Sequence, residues 1–487
     1  MYDLVIAGGR VIDPGSGIDD IRNVGITNGT VGTVTTGCID GVRVLDARGK
    51  VVAPGFIDLH SHCEDIPGLR LQALDGVTTA LDLEIGRHPV EAAYAAAAAE
   101  GRPTNYGFAT SWGAARFAVV LGTTPTGRLQ DVFSAMSFAA WQQAVGRDAV
   151  KRIIARVEDD LARGALGVGI PIGYAPAVAP EEYVAVAAAA ARAGRPTYTH
   201  ARDLVEQNPA VVIDGADEIV RTAAETGASM HYCHVNSTSG VHLDRVHQTI
   251  TRARAAGSRV TTEAYPYGSG MTGIGAAFLD PNLLHRRGLR PSSIEHLASG
   301  RRIAHADELR RMQTEQGDEL AFVHFLDESQ PEARELLTKA MLFDETAVVS
   351  DAMEPLWRSS RRDAMQWPLP PDVVAHPRTA GSFARTLRTL VRETGAMTLA
   401  EAIRRCSLVP ASIASVGVPA MARKGHLRPG ADADVVVFDP ETVADNATYT
   451  ETTRPSSGIC HVIVHGEAVV SAGRLVLDAL PGRPVRA

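Results

Sequence analysis

The sequence predicts an α/β fold: a TIM-like (β/α)8 barrel with a small β-sandwich that both termini form. Two observations predict this class. Short apolar strands alternate with helical stretches through the middle of the chain, and short strands separated by turns, without helices, occur at both ends. A length of 487 residues accommodates a barrel, which commonly takes about 250 residues, and a smaller companion. We expect residues 1–53 and 408–487 to form the sandwich and residues 54–407 the barrel, with an insertion over its mouth at 274–330.

The N-terminal residues 2–52 contain short apolar strands bounded by turn residues. The Asn-Gly pair at 28–29 is a type I′ hairpin signal, so this part predicts a small antiparallel unit. The C-terminal part has the same pattern of apolar runs separated by turns, with DVVVF at 434–438, HVIV at 461–464 and a turn at the His-Gly pair 465–466. Because each end supplies few core residues by itself, we expect the two ends to share one sandwich.

Eight strand candidates alternate with helices in the central region. They are 52–60, 77–84, 106–110, 166–172, 196–200, 229–234, 260–264 and 347–351. Helix starts follow several of them: Pro89 and Pro180 stand where a first helical turn accepts proline, and Asp214 and Gly227 bracket a third helix. Eight such units predict the barrel. Within the insertion, residues 292–316 predict a polar, arginine-rich helix.

Composition and charge exclude several classes of protein. Hydrophobic residues make up 45% of the chain and the net charge is −8, without a basic run, so we expect neither a nucleic acid nor an anionic membrane as a partner. The five cysteines are never spaced as CxxC, which argues against a disulfide framework and a zinc knuckle. No signal peptide or bilayer-spanning run is present in the sequence, so we expect a cytoplasmic location. The sequence leaves open whether the chain forms a homo-oligomer.

The sharpest chemical feature is the sequence His60-Ser61-His62 at the end of the first barrel strand. Side chains two apart on a strand point the same way, so both imidazoles are expected to face one point at the carboxyl-terminal mouth, where barrel active sites lie. This arrangement favours metal binding. A pair of surface histidines is the alternative interpretation.

Other predicted strands also end in residues that bind metals. His200, His234 and Asp351 end the fifth, sixth and eighth strands. Imidazoles and carboxylates there suit a divalent first-row metal, most often zinc, with an open position for water. The second strand ends with Asp82 and Glu84, of which Glu84 is expected to bind the metal and Asp82, which lies deeper, to support it. A salt bridge is the alternative for this strand.

Asp351 is the candidate catalytic base. A carboxylate there can take the proton of a metal-activated water and deliver it to the leaving nitrogen of an amide. Tyr174, Tyr265 and Tyr267, at the ends of the fourth and seventh strands, are candidate donors to the developing oxyanion, with aromatic packing at the rim as the alternative. His231 lies three residues before the strand-six ligand, so we expect it to face the other way as a packing or supporting histidine.

Seven segments together resemble the amidohydrolase superfamily: PGFIDLHSH, GVTTALDLE, YTHARD, HYCHVNST, EAYPY, SDAM and GHLRPGADADVVVFD. Within it the chain resembles the D-aminoacylase group, the N-acyl-D-amino-acid deacylases, and most of all the D-glutamate deacylases. The resemblance implies the composite amidohydrolase fold and a zinc-dependent hydrolysis of a small N-acyl-D-amino acid to a D-amino acid and a carboxylate. By position it implies His60 and His62 as a metal-binding pair, His200 and His234 as the later ligands, and Asp351 as the catalytic aspartate.

Two departures from this group affect the expected metal and substrate contacts. Its members have a metal-bridging cysteine after the GVTT segment, where this chain has Glu84, and a substrate-contacting lysine two residues after the strand-six histidine, where this chain has Asn236. Some barrel hydrolases bridge two metals through a carboxylated lysine at the end of strand four, but the lysines of this chain lie only at 50, 151, 339 and 424. Glu84 is therefore the expected bridge if two metals are bound.

An amino-acid product implies a partner for its α-carboxylate, and an acyl-glutamate implies a second one. Arginine is the natural bidentate partner, and Arg202 and Arg378 are the candidates, with ordinary structural arginines as the alternative. The cofactor expected is one or two Zn²⁺ ions, or another divalent metal. The alternative functions are an amidohydrolase for another linear or cyclic amide, such as a hydantoinase-like or dihydroorotase-like enzyme or one for a specialised metabolite, and a non-catalytic barrel scaffold.

Overall fold

The structure, a computed structural model, describes residues 1–136 and 138–487. The chain divides into two compact units. The first comprises Met1–Leu81, Ala96–Gly107 and Ala347–Arg486, and the second comprises Asp82–Ala95, Phe108–Thr346 and Ala487. The domain boundaries expected from the sequence, at 53/54 and 407/408, and the role of residues 274–330 as an insertion stay predictions.

Short strands and helices alternate along most of the chain. The strands are β1 (Tyr2–Asp13), β2 (Ile18–Thr27), β3 (Thr30–Thr35), β4 (Gly41–Asp46), β5 (Val51–Pro54), β6 (Phe56–Asp58), β7 (Val77–Arg87), β8 (Asn105–Ser111), β9 (Val168–Ile170), β10 (Thr197–Thr199), β11 (Met230–Tyr232), β12 (Val260–Ala264), β13 (Ser269–Gly273), β14 (Ile294–His296), β15 (Arg301–Arg302), β16 (Leu320–His324), β17 (Thr346–Val348), β18 (Leu356–Trp357), β19 (Val373–Val374), β20 (Val435–Phe438), β21 (Ile459–Val464), β22 (Glu467–Ser471) and β23 (Arg474–Leu475). The α-helices are α1 (Ile66–Leu74), α2 (Val90–Glu100), α3 (Trp112–Leu121), α4 (Gln130–Met136), α5 (Ala139–Gln142), α6 (Arg147–Ala162), α7 (Pro180–Arg192), α8 (Gly215–Thr226), α9 (Val235–Ser239), α10 (Leu243–Ala255), α11 (Ala306–Glu315), α12 (Pro331–Leu342), α13 (Arg378–Thr386), α14 (Leu399–Cys406) and α15 (Leu408–Ala414).

Strands from both ends of the chain form one sheet in the first unit. Its order is β23-β22-β21-β20-β5-β1-β2-β3, and β4 pairs with β1. β20 runs antiparallel to β5 with Val437 opposite Val52, and both side chains lie in a buried core that β1, β2 and β3 also line. The expectation that the two ends share one β-structure is confirmed.

The direction of two N-terminal strands differs from the prediction of an antiparallel unit. β4 and β5 run parallel to β1. The reason is topological, since residues 36–40 carry the chain from β3 to the other edge of β1, where β4 begins in the same direction as β1. The predicted turn between β2 and β3 is confirmed, because Asn28 and Gly29 both have positive φ, 51° and 71°, as a type I′ turn requires.

All eight predicted barrel strands are present. β6 to β12 and β17 form one parallel sheet in the order β17-β12-β11-β10-β9-β8-β7-β6. Just beyond β6 and β17, Ser61 and Ala352 form a parallel bridge, and the His62 N–H donates to the Ala352 carbonyl at 2.8 Å. Every residue of β7 is buried, as expected where helices cover the outer face of a parallel sheet. The (β/α)8 barrel is confirmed.

The predicted helix starts are also confirmed. α2 begins at Val90 directly after Pro89, and α7 begins at Pro180. Asp214 caps α8 by accepting hydrogen bonds from two N–H groups of its first turn, and Gly227 ends the helix with φ 68°. Within residues 1–136 and 138–487, none of the helices combines the length and the apolar character that crossing a bilayer requires.

Residues 292–316 differ from the helix predicted for them. α11 is the only α-helix there; a 3-10 turn at Pro291–Ser293 and the strands β14 and β15 precede it, and these strands lie in a sheet of order β13-β16-β14-β15. β14 finds a partner in β16, with His296 opposite Ala321, and Gly300, with φ 65°, turns the chain into β15. Pairing with a strand distant in sequence therefore overrides the local helical preference.

Candidate metal centre

In the first unit, the segment after β6 holds two imidazoles close together. His60 Nε2 and His62 Nε2 are 3.0 Å apart, and both side chains are buried. The alternation of an extended chain puts both rings on one side, whereas the hydroxyl of Ser61 between them donates to Gln72 Oε1 at 2.8 Å. Two buried ring nitrogens at this distance either share a proton or direct their lone pairs at one cation.

Asp58, at the end of β6, anchors this histidine pair. Its carboxylate accepts hydrogen bonds from the Gln72 amide at 2.6 Å and from the main-chain N–H groups of Ser350 and His60, both at 3.1 Å. Burial raises the pKa of Asp58 to about 6, although the hydrogen bond from the Ser350 hydroxyl favours the ionised form. Asp58 thus ties the end of the eighth barrel strand to the histidine pair.

Asp351 lies beside the two imidazoles of the same unit. Its Oδ1 is 3.5 Å from His60 Nε2 and 3.8 Å from His62 Nε2, and its Oδ2 is 2.9 Å from Nη1 of Arg378, the fully buried first residue of α13. Asp351 has φ 52°, a conformation that residues with a β-carbon rarely adopt and that concentrates at functional sites. The structure therefore brings these four predicted residues together.

In the second unit, Glu84 contacts two of the predicted histidines. Its buried Oε1 is 2.8 Å from His200 Nδ1 and 2.9 Å from His234 Nε2. β7 carries Glu84, His200 directly follows β10, and His234 follows β11 by two residues. The ends of three barrel strands therefore converge on one carboxylate oxygen.

The carboxylate of Glu263, in β12, supports the segment after β11. Its Oε1 accepts a hydrogen bond from the His234 N–H at 3.2 Å, and its Oε2 is 3.0 Å from His231 Nε2. His231 thus contacts Glu263, and its supporting role stays a prediction. Sequence reasoning missed Glu263, although its position at the end of the seventh strand, like that of the predicted ligands, could have indicated it.

Asp82 forms a buried ion pair within the strand that carries Glu84. Its Oδ2 is 2.6 Å from Nη2 of Arg87, and its other oxygen accepts a hydrogen bond from the Gly86 N–H at 3.2 Å. The carboxylate therefore has protein partners at this end of β7, where it stiffens the strand.

An aromatic side chain that sequence reasoning missed covers His200. Phe278 stacks on the imidazole with ring centroids 5.4 Å apart and 20° between the planes, and its ring is 5.2 Å from that of Tyr174. The Arg287 guanidinium lies 5.7 Å from the Phe278 centroid and pairs with Asp203. A single phenylalanine in an irregular segment has no periodic pattern that could have predicted this contact.

Three residues predicted to contact the substrate form hydrogen bonds with main-chain or hydroxyl groups near the ends of the fourth and seventh strands. The hydroxyl of Tyr174 is 3.0 Å from Thr272 Oγ1. The Asn236 amide donates to the Tyr265 carbonyl at 3.1 Å and accepts from the Tyr265 N–H at 3.4 Å, so the two residues are tied together. Tyr267 is buried, in agreement with a packing role.

Arg202, the remaining predicted contact, lies in a buried ion pair. Its Nε is 2.8 Å from Glu218 Oε2, and its Nη1 donates to the carbonyl of Pro176 at 2.5 Å. Both charged side chains are nearly inaccessible to solvent. These contacts are those of the structural arginine that the sequence left as the alternative.

The donor atoms fit a divalent metal ion. Glu84, His200 and His234 each offer one ligand atom within 4.8 Å of the others, and imidazole nitrogen with carboxylate oxygen is a donor set that zinc takes. A buried carboxylate between two imidazoles also requires positive charge nearby, because an isolated buried anion is costly. A cation or a protonated imidazole supplies that charge.

Comparison with known proteins places the chain in a family. The model of the Amidohydro_3 amidohydrolase family matches residues 43–470. An N-acyl-D-glutamate deacylase of Alcaligenes xylosoxydans xylosoxydans is 31% identical and covers 96% of this chain and 93% of its own length. A D-aminoacylase of the same organism is 28% identical, with 96% and 94% covered.

Solved structures share the fold. An N-acyl-D-glutamate deacylase from Bordetella bronchiseptica, complexed with zinc and a phosphonate inhibitor, has a TM-score of 0.75 at 24% identity. A D-aminoacylase with a binuclear metal centre has a TM-score of 0.76 at 21% identity, and both comparisons cover 100% of each chain. With the family match extending over most of the sequence, the chain belongs to the amidohydrolase family.

Proposed function

We propose that this protein is a metal-dependent amidohydrolase that hydrolyses the amide bond of N-acyl-D-amino acids, N-acyl-D-glutamate among them, to a D-amino acid and a carboxylate. The observation that carries the proposal is the set of buried imidazoles and carboxylates that follow the barrel strands. The similarity to an N-acyl-D-glutamate deacylase over 96% of this chain supports the substrate class.

The proposed metal ligands come from five barrel strands. They are His60, His62, Glu84, His200, His234 and Asp351. One or two Zn²⁺ ions are the proposed cofactor, although another divalent metal suits the same donors. Glu84 is the proposed bridge between two ions, because one of its oxygens already contacts two imidazoles.

The proposed reaction is the attack of water on the amide carbonyl. A bound metal supplies Lewis acidity, which polarises the carbonyl and makes hydroxide available near neutral pH. Asp351 takes one proton from the attacking water and transfers it to the nitrogen as the C–N bond breaks, which yields the free amine and a carboxylic acid. The acid then passes its remaining proton to the amine, so that the products at neutral pH are a carboxylate and an ammonium group. Arg378, 2.9 Å from Asp351, holds this carboxylate in place.

The proposed substrate contacts are Tyr174, Asn236, Tyr265 and Arg378. The tyrosines are donors for the developing oxyanion, and the guanidinium of Arg378 is the cation for the α-carboxylate. Asn236 is neutral and tied to Tyr265, so it acts through that residue. Arg202 is less favoured than Arg378, because its Nε pairs with Glu218 and its Nη1 donates to the Pro176 carbonyl, whereas the partner of Arg378, Asp351, is itself a proposed site residue.

The substrate proposal is tested with purified, zinc-loaded protein and a panel of N-acetyl-D-amino and N-acetyl-L-amino acids, with a hydantoin and dihydroorotate as cyclic amides. Release of free D-amino acid, fastest from acidic side chains, is expected. Turnover of a cyclic amide without turnover of any D-isomer would identify the alternative amide substrate. Protein from metal-replete expression that shows neither activity nor bound metal would favour the non-catalytic barrel scaffold.

The role of Asp351 is tested by the variant Asp351→Asn. We expect metal to remain bound while kcat falls by a factor of about 10² or more, the usual contribution of a positioned proton acceptor. Metal content is measured by mass spectrometry of the elements, and kcat by release of amino acid. Asp159→Asn, on an exposed helix face, is the control. Activity of Asp351→Asn equal to that of the wild type contradicts the role.

We also propose a reducing compartment, the cytoplasm. All five cysteines are free thiols, which is the usual state of cytoplasmic proteins.

A further inference from the structure

The main chain of His234 has an unusual conformation for a residue that carries a metal-binding side chain. Its φ and ψ are 33° and 60°, in the left-handed region that residues with a β-carbon rarely adopt. The regular part of β11 has ended at Tyr232, and α9 begins only at Val235. Contacts outside regular secondary structure must therefore hold His234 in place.

The carboxylate of Glu263 supplies such a contact. Its Oε1 accepts the hydrogen bond of the His234 N–H at 3.2 Å, so the carboxylate fixes the main chain at the strained residue itself. Its Oε2 is 3.0 Å from His231 Nε2, and Glu263 is 1% exposed. A hydrogen bond in such an environment is stronger than one in water, since no solvent competes for it.

The ring of His231 is fixed at its other nitrogen as well. β11 and β12 pair in parallel with His231 opposite Thr261, and Thr261 Oγ1 is 2.8 Å from His231 Nδ1. Thr261 and Glu263 are two apart on β12, so both side chains face the same side of the strand. The result is a closed set of contacts between the ends of two neighbouring strands: Thr261 to His231, His231 to Glu263, and Glu263 to the main chain of His234.

We propose that Glu263 is a positioning residue of the metal centre. By fixing the main chain of His234, it directs the ring nitrogen that lies 2.9 Å from Glu84 Oε1 toward the metal. This inference rests on the proposed metal-dependent function and adds to it a residue that binds no substrate in the proposed mechanism. Removing a partner that orients a ligand typically weakens metal binding by about 10–100-fold.

The proposal concerns geometry rather than charge, so it distinguishes two substitutions at the same position. Glu263→Ala removes both hydrogen bonds. Glu263→Gln keeps an oxygen for the His234 N–H, and its amide can donate to His231 Nε2 once the His231 proton is on Nδ1, where the Thr261 hydroxyl can accept it. The glutamine variant should therefore restore what the alanine variant loses.

The test measures Co²⁺ binding to the metal-free full-length protein by competition with a chelating dye, together with the visible spectrum of the Co²⁺ form. Glu263→Ala is expected to bind Co²⁺ about 10-fold or more weakly with an altered spectrum, and Glu263→Gln within about threefold of the wild type. Glu182→Ala is the matched control, because Glu182 is equally buried but pairs with Arg116. It should lower the melting temperature and leave Co²⁺ affinity unchanged.

Three outcomes overturn the proposal: Glu263→Ala with wild-type affinity, Glu263→Gln as weak as Glu263→Ala, or Glu182→Ala as weak as Glu263→Ala. If Glu263→Ala does not fold, Glu263→Leu, which removes both hydrogen bonds but fills more of the space of the side chain, takes its place. Weaker Co²⁺ binding supports the proposal and unchanged binding overturns it. Wild-type protein that takes up no Co²⁺ contradicts the proposed metal-dependent function itself, whereas uptake that Glu263→Ala leaves unchanged contradicts only the positioning role.

Discussion

At the scale of single residues, Glu84 has the most demanding environment of the predicted ligands. It is 3% exposed, and one of its oxygens contacts both His200 and His234. A buried carboxylate loses its hydration, and only close positive charge and hydrogen bonds offset that loss. The two imidazoles supply positive charge only when they are protonated, whereas a divalent cation supplies it with both imidazoles neutral and able to donate their lone pairs.

This environment predicts the effect of Glu84→Gln. The amide keeps the shape but removes the negative charge, so we expect metal affinity to fall about 10-fold or more, since loss of a direct ligand costs at least as much as loss of a supporting partner. The measurement is the metal content after dialysis against increasing chelator concentrations. Glu182→Gln, at an equally buried glutamate in the same unit, is the control. Equal retention of metal by Glu84→Gln and the wild type would show that Glu84 is no ligand.

The residues of the site that the sequence could predict are those whose strand position determines their direction. His60 and His62 lie on one side because the chain alternates, and they are found close together. The pairing of Asp351 with Arg378 follows from no local pattern, because residues distant in sequence meet only through the fold. The contact of Phe278 with His200 follows from no local pattern either, whereas Glu263 was missed although its position at the end of the seventh strand could have indicated it.

At the scale of elements, caps and turns could be predicted because their causes are local. Asp214 and Gly227 bound α8 as the sequence indicates. β14 could not be predicted, because it is extended only through its pairing with β16. β15 and α11 lie between the two strands in sequence, so no local pattern indicates the pairing. The parallel course of β4 beside β1 has the same origin in a distant partner.

The main chain of α13 donates hydrogen bonds to a side chain that lies just beyond the end of another helix, α1. Asp75, just after α1, accepts hydrogen bonds from the N–H groups of Phe383 and Ala384 at 2.8 and 3.0 Å and from the hydroxyl of Ser456 at 2.8 Å. Asp75 is buried. The carboxylate thus satisfies donors in the interior of α13, beyond the helix ends where side-chain caps usually act.

We expect Asp75→Ala to destabilise the fold by about 1–3 kcal/mol for each donor that stays without a partner. Asp75→Asn keeps one oxygen and should lose less. The measurement is the urea concentration at the midpoint of unfolding, followed by circular dichroism. Equal midpoints for Asp75→Ala and the wild type would mean that α13 closes its own hydrogen bonds when the carboxylate is removed.

At the scale of the whole molecule, buried ionisable groups make stability depend on pH in opposite directions. Burial lowers the pKa of His247 to about 4, so the unfolded chain, with a histidine pKa near 6.5, binds protons more readily between these values. The stabilisation from neutral His247 is complete above pH 6.5 and is lost as the pH falls toward 4. Burial raises the pKa of Asp75 to about 7, so this group favours the folded state less as the pH rises from about 4 to 7.

His247 and Asp75 change the stability in opposite directions as the pH falls, so the pH dependence of the wild type alone does not separate them. The test therefore compares the wild type with a variant that lacks only the titrating group of His247. His247 stacks on Phe343 with ring centroids 3.8 Å apart, and His247→Phe keeps an aromatic ring there without a titrating group. We expect the melting temperature of the variant to fall less than that of the wild type between pH 7 and pH 5. Parallel falls over this range would exclude His247 as a source of the acid sensitivity.

The antiparallel pairing of β5 with β20 has a consequence for how the protein folds while it is being synthesised. Residues 55–434 separate the two strands, so at roughly 5–20 residues per second the ribosome delivers β20 tens of seconds after β5. During that interval one edge of β5, with its valines, has no neighbour on the nascent chain, and an open apolar edge is a site of aggregation. The nascent N-terminal strands therefore depend on shielding by other factors, or on early barrel formation, until β20 has been synthesised.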